Sequence, residues 1–190
     1  MARVGLSGAR LAQAGAELAD EVGFEQVTVS ALARRFGVQV ASLYSHVRSS
    51  DDLKARIATV ALTELADQAS DAVAGRAGRD ALVALANVYR DYARTHPGRY
   101  TATRHTAAAS VLGEQHVAAG RRHSELVRAV LRGYDLGEPA QTDAVRLLGS
   151  TIHGYITLEL AGSFSYSEPS AGDSWPRIID ALDTLLRSWS

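Results

Sequence analysis

The sequence predicts an all-α protein, and three observations carry that expectation. Apolar residues recur at spacings of three and four, as at Leu11, Ala14, Leu18 and Val22, which lines them along one face of a helix. No stretch alternates apolar and polar residues between hairpin turns, as a sheet would require. The breaks are short and rich in glycine or proline, for example Gly75-Arg76-Ala77-Gly78-Arg79 and His96-Pro97-Gly98. A chain of 190 residues with 46% hydrophobic and 22% charged side chains is long and apolar enough to close a core.

About nine helices follow in order. The first ends near Gly23, its expected C-terminal cap. A second fits Val29 to Phe36, with Thr28 or Ser30 as N-cap and Gly37 as stop, and a third runs from about Val40 to His46. Ser49 or Ser50, followed by Asp51 and Asp52, caps a fourth helix through about Ala74. Asp80 begins a fifth helix that reaches Thr95. A short sixth is expected from about Arg99 to Ala108, and a seventh from Glu114 to Arg132. The long apolar eighth spans Ala140 to Phe164. After a serine-rich loop, Trp175 to Trp189 forms the ninth, with Ile178, Leu182, Leu185 and Trp189 at heptad-like spacing.

Composition narrows the function. Twenty basic against 21 acidic side chains leave a formal charge of −1, so attraction to nucleic acid or an anionic membrane has to be local. The absence of cysteine removes disulfides, thiolate metal sites and a cysteine nucleophile together. No run of about 18 apolar residues and no signal peptide is visible, so a cytoplasmic protein is expected. Six histidines invite a metal reading, yet no His-Glu-x-x-His and no two His four apart occur. No grouping of nucleophile, base and orienter emerges either, and neither an enzyme, a metal nor a cofactor is expected.

Residues 28–47 carry the functional signal: two short helices about a glycine turn, the layout of a helix-turn-helix. Leu32, Ala33, Phe36, Val38 and Leu43 would lock the pair, and small side chains at Ala41, Ser42 and Ser45 leave a face thin enough for a major groove about 12 Å wide. The run from Leu11 to Ile57, through Gly23-Phe24, Leu32-Ala33-Arg34-Arg35-Phe36-Gly37-Val38 and Leu43-Tyr44-Ser45-His46-Val47, resembles the DNA-binding domain of the TetR family of transcriptional repressors. A weaker likeness to a TetR-type C-terminal domain runs through residues 92–100 and 153–164.

The resemblance implies a helix-turn-helix domain over 1–47 and an effector-binding and dimerisation domain over 48–190. It also implies that Thr28 offers its hydroxyl to a phosphate while Gln39, Val40, Ala41, Ser42 and Ser45 face base edges. Gln39 suits adenine, and Val40 and Ala41 a thymine methyl. Tyr44 and His46 match the backbone-contacting pair, with Arg48 and Lys54 adding positive charge. One departure weakens this: Ser50 stands where the family usually carries a phosphate-holding Lys, with Asp51 and Asp52 beside it. Residues 1–56 carry seven basic and six acidic side chains, so the electrostatic part of any DNA affinity is small.

A homodimer is expected through the last two helices, with Leu148, Ile152, Ile156, Leu160, Ile178, Leu182, Leu185 and Trp189 in the seam. A small, mostly apolar effector is expected in the body, with Tyr89, Tyr92, His116 and His153 as polar contacts. Together these describe a ligand-responsive repressor on a near-palindromic operator. The alternative is a helical small-molecule-binding or interaction module that has lost operator binding.

Overall fold

The computed structural model describes residues 5–105 and 113–189, and among them regular structure is entirely helical. The helices are α1 (Gly8–Val22), α2 (Val29–Phe36), α3 (Val40–Leu43), α4 (Ser50–Val73), α5 (Gly78–Thr95), α6 (Pro97–Ala102), α7 (Glu114–Leu131), α8 (Ala140–Leu160) and α9 (Ala171–Arg187), with 3-10 turns at Phe24–Gln26 and Arg132–Tyr134.

Side-chain caps settle the open choices at helix starts. Thr28 Oγ1 accepts the N–H of Ala31 at 3.1 Å and so caps α2. Ser49 Oγ accepts the N–H of Asp52 at 3.1 Å, which makes Ser49 the cap of α4. The bounds of α8, α9 and α6 differ from expectation. Helix α8 stops at Leu160, four residues before Phe164, because Gly162 turns left-handed (φ +74°) and the N–H groups of Gly162 and Ser163 close back on Glu159 and Leu158. Helix α9 begins at Ala171 instead of Trp175, since Ser170 caps it by accepting from Asp173 N–H at 3.1 Å, and Pro176 lies inside it. Helix α6 starts at Pro97, where a missing N–H costs nothing, and ends at Ala102; residues 106–108 of the expected sixth helix lie outside the described residues.

The chain forms two compact units. The first combines Met1–Glu64 with Thr95–Gly120, and the second combines Leu65–Arg94 with Arg121–Ser190. The first unit's core joins Leu11, Leu18, Phe24, Leu32, Leu43, Val47, Leu53 and Ile57, all buried. Helix α6 packs on α1 within this unit: Asp20 accepts the N–H of Arg99 at 2.9 Å and faces His96 Nδ1 at 3.0 Å, and the Arg99 guanidinium also reaches Glu64. The second unit buries Leu82, Leu85, Tyr92, Leu148, Ile152, Ile156, Ile179 and Leu186. Three polar pairings lie inside it. Arg90 holds Glu159 through two bonds of 2.5 and 2.8 Å, Trp175 Nε1 donates to Asn87 at 2.8 Å, and Tyr134 donates to Asp183 at 2.7 Å.

Gly98 is fixed by contact: a Cβ there would overlap the backbone of Ala19. A Cβ on Gly120, on α7, would meet nothing within 4 Å among the described residues. Gly98→Ala should therefore destabilise the protein by about 3 kcal/mol, an overpacking that backbone cannot relieve. Gly120→Ala should stabilise it by about 0.5–1 kcal/mol through helix propensity. Urea unfolding of the two variants beside the parent chain measures both.

Candidate nucleic-acid interface

Gly37 sets the interface. Its left-handed backbone (φ 65°, ψ 34°) ends α2, and the N–H of Val38 returns to Ala33 at 3.0 Å, so the chain reverses tightly into Gln39, the N-cap of α3. From there Gln39, Ala41, Ser42, Tyr44 and Ser45 are exposed, while Val40 and His46 are half-buried. Leu43 and Val47 point inward as the anchors that fix this face outward. Helix α3 itself stops at Leu43, short of the expected His46. Ser45 Oγ donates to Ser42 carbonyl at 2.8 Å, and the N–H groups of His46 and Val47 both close on Leu43.

Hydroxyl chemistry follows from these bonds. Thr28 Oγ1 is used as an acceptor by its cap, so its O–H is left to donate, as a phosphate contact needs. Ser45 has spent its proton on Ser42 and is left as an acceptor. Tyr44 carries an exposed ring, 52% accessible.

The charges are arranged differently from the sequence expectation. Lys54 does not stand free beside Tyr44: its Nζ bonds Glu25 at 2.5 Å, lies 5.2 Å from the centre of the Phe24 ring, and its side chain is 18% accessible. That bond holds the Glu25 carboxyl below the usual carboxylate range. The positive charge expected there is spent within the unit. Asp52, expected as an acid near a DNA backbone, is turned inward and only 4% accessible. It accepts the N–H of Arg48 at 2.8 Å, and its two oxygens face the guanidinium of Arg48 at 3.5 Å and Arg56 Nε at 3.1 Å. Arg48 itself reaches solvent, its side chain 74% accessible. Ser50 and Asp51 are exposed. Arg56 was missed as a structural residue, although Arg48, Asp52 and Arg56 stand four apart, the spacing at which charges on a helix meet. A Cβ on Gly8 would come within 2.8 Å of Arg56 Nη1 and 3.2 Å of His46 carbonyl, so α1 approaches this junction through a glycine.

In the second unit Tyr89 and His153 come together, ring centres 5.5 Å apart. His123, which the sequence did not single out for this group, joins them: the Tyr89 hydroxyl bonds His123 Nε2, and the two rings lie 5.1 Å apart. Burial lowers the His123 pKa to about 4, so the ring is neutral near pH 7. His123 Nδ1 is buried with no hydrogen-bond partner among the described residues. Tyr92 is buried on the same helix as Tyr89. His116 is not part of this group. It belongs to the first unit and bonds Thr59 at 3.1 Å.

Of the residues expected in a dimer seam, Leu148, Ile152, Ile156 and Leu182 are buried by the chain itself, because periodicity marks an inward face and an interface face alike. Ile178 and Trp189 are half-buried, and Leu160 and Leu185 are exposed, as is Leu158.

Residues 11–57 match the family described as bacterial regulatory proteins, tetR family, and residues 82–182 match the tetracyclin repressor-like C-terminal domain. The chain belongs to the tetR family of bacterial transcriptional regulators. It is 33% identical over 192 residues to YobS of Bacillus subtilis, an uncharacterized HTH-type transcriptional regulator, across 98% of this chain and 92% of that one. A second relative, the uncharacterized HTH-type regulator Rv0681 of Mycobacterium tuberculosis, is 37% identical over 145 residues, 75% of this chain and 65% of the relative. Among solved structures, a protein of unknown function from Rhodococcus sp. RHA1 superposes with a TM-score of 0.76 at 21% identity, each chain covered to 97%. A TetR variant from Acinetobacter baumannii AYE in complex with minocycline gives 0.73 at 19% identity, with 98% and 99% covered. The TetR-type fold of this regulator thus spans both units.

The Asp52 junction yields a pH prediction. Burial opposes its charge, but the Arg48 N–H and the Arg56 guanidinium overcome this and hold the carboxyl below its ordinary value. Its contribution to stability is present above the unfolded pKa of about 3.9 and is lost as pH falls through the lower folded value. Asp52→Asn should cost about 1–3 kcal/mol at pH 7, and the gap between variant and parent should close in strong acid. Urea titrations at pH 7 and below pH 3 measure that gap.

Proposed function

We propose that this chain is a ligand-responsive transcriptional repressor that binds a near-palindromic operator as a homodimer and is released by a small, mostly apolar effector. The observation that carries the reading is the row of exposed side chains Gln39, Ala41, Ser42, Tyr44 and Ser45 behind the left-handed Gly37 turn. Gln39 pairs with adenine N6 and N7, Val40 and Ala41 touch thymine methyls, and Ser42 and Ser45 take base-edge hydrogen bonds. Thr28, Tyr44, His46 and Arg48 hold phosphates. Two such faces in a dimer enter successive major grooves about one helical turn apart.

The dimer reading is supported by α8 and α9. Leu158, Leu160 and Leu185 are exposed, and Gly149 and Gly154 lie mid-helix where a Cβ would meet nothing within 4 Å of this chain. A glycine inside a helix costs about 1 kcal/mol relative to alanine, and close approach of a second helix gives that cost a use. Leu185→Arg should leave the protomer folded and turn a dimer into a monomer, read by light scattering at micromolar concentration.

The effector is assigned to Tyr89, His123 and His153, with Tyr92 buried on the same helix as Tyr89. A neutral imidazole with an unused Nδ1 suits one oriented hydrogen bond in an otherwise apolar site. Helix α4 contributes to both units, so an effector that reorients it changes the separation of the two recognition helices and weakens operator binding about 5–150-fold.

Selection of bound genomic fragments by the purified protein tests the reading. An enriched palindrome is expected at low salt. Tyr44→Ala should weaken every site, and Gln39→Ala should relax one base position per half-site. With Lys54 bound to Glu25 and Ser50 uncharged, Arg48 is the one guanidinium assigned to phosphate in each protomer, so log K against log salt should fall with a slope of only about −2 for the dimer. The same two residues favour the second reading, a helical ligand-binding module without an operator, and failure to recover any enriched fragment selects it.

A further inference from the structure

The first unit contains a cavity of about 500 Å³ whose lining shares no residue with the Tyr89–His123–His153 group of the second. Its apolar floor is Ala9 and Ala12 of α1 with Ala55 and Val60 of α4. Arg48, Asp52 and Arg56 form one wall, and Thr59 with His116 another. The cations in it are under-used. Arg48 and Arg56 share the single carboxylate of Asp52, which stands 3.1 Å from Arg56 Nε, and the Arg56 Nη atoms make no hydrogen bond among the described residues. His116 adds no third cation, because burial lowers its pKa. Thr59 spends its hydroxyl proton on the Ala55 carbonyl at 2.8 Å, so His116 Nδ1 is the donor in their 3.1 Å bond. The remaining charge in the lining, Glu114, is exposed on the first turn of α7.

We propose that this cavity is a second small-molecule site and that it takes a small organic carboxylate, the anion against Arg56 and Arg48 and a short apolar body on the alanine floor. A guanidinium with a free pair of terminal N–H groups matches a carboxylate in geometry as well as charge. The volume lies in the range of small-molecule sites, and a floor of small side chains accepts a flat body that an inorganic anion cannot use. The site shares Arg48 and Asp52 with the junction that follows the recognition helix. An acid bound there therefore competes with phosphate for Arg48, which gives the DNA-binding unit a ligand response of its own.

Benzoate and benzamide are the probes, titrated calorimetrically into the full-length chain without DNA. Benzoate should bind saturably, and benzamide, which keeps the ring and loses the charge, should bind about ten- to a hundredfold more weakly. Ala9→Leu fills the floor from an exposed position and should lower benzoate affinity at least about tenfold with the unliganded melting temperature unchanged; Arg56→Gln should lower the affinity as much through the charge, but with a lower melting temperature because it also removes a partner of buried Asp52. His153→Ala, in the other unit, should leave benzoate binding intact. Absence of saturable benzoate binding, equal binding of the two probes, full affinity in Ala9→Leu, or loss in His153→Ala in place of Ala9→Leu would each overturn the assignment. Because no DNA is present, such a failure leaves the operator reading standing.

Discussion

The buried carboxylate of Asp52 is the interaction on which the interface depends. One side chain accepts the backbone N–H of Arg48, faces two guanidiniums and sits three residues beyond the Ser49 cap that starts α4. The segment after α3 has no long helix to hold it. Its shape is set by Val47 pressed into the core and by Asp52 gripping the next backbone amide. A buried charge is tolerable only when its partners are complete, and here they are supplied by neighbours four residues either side. The exposed row from Gln39 to Ser45 keeps its direction because this anchor and Gly37 fix its two ends.

Much of this was legible in the sequence, for reasons that differ by element. Helices α1, α2 and α4 are bounded by local chemistry, side-chain caps and glycines of positive φ, that a sequence displays directly. The end of α8 was missed because Gly162 lies in a run that remains apolar as far as Phe164, and hydropathy cannot reveal a left-handed turn. The start of α9 was missed because the Ser170 cap lay in a stretch that composition marked as loop.

The exposed side chains after Gly37 were legible because the glycine-turn spacing orders them. Their hydrogen-bonding roles were not, since only the structure shows that Thr28 retains a proton to donate and Ser45 does not. Charges were the least legible. Lys54 and Glu25 are 29 residues apart in sequence and meet only through the fold, and Asp52 reads as a liability until its two arginines are seen to surround it. Histidines show the same limit: His116 and His123 stand seven apart on one helix, yet one belongs to each unit.

The passage of the chain between units bears on how the molecule is made. The DNA-binding unit is not one continuous stretch, since α6 closes onto α1 through Asp20, Arg99 and the bare backbone of Gly98, and residues 65–94 belong elsewhere. A nascent chain emerging from the ribosome therefore carries an uncovered α1 until α6 has also been synthesised. Domains generally fold as units from the N-terminus onward during translation. Here the first helices to appear must wait for a later one, and a fragment ending at residue 64 would expose the face of α1 that Gly98 and Arg99 cover.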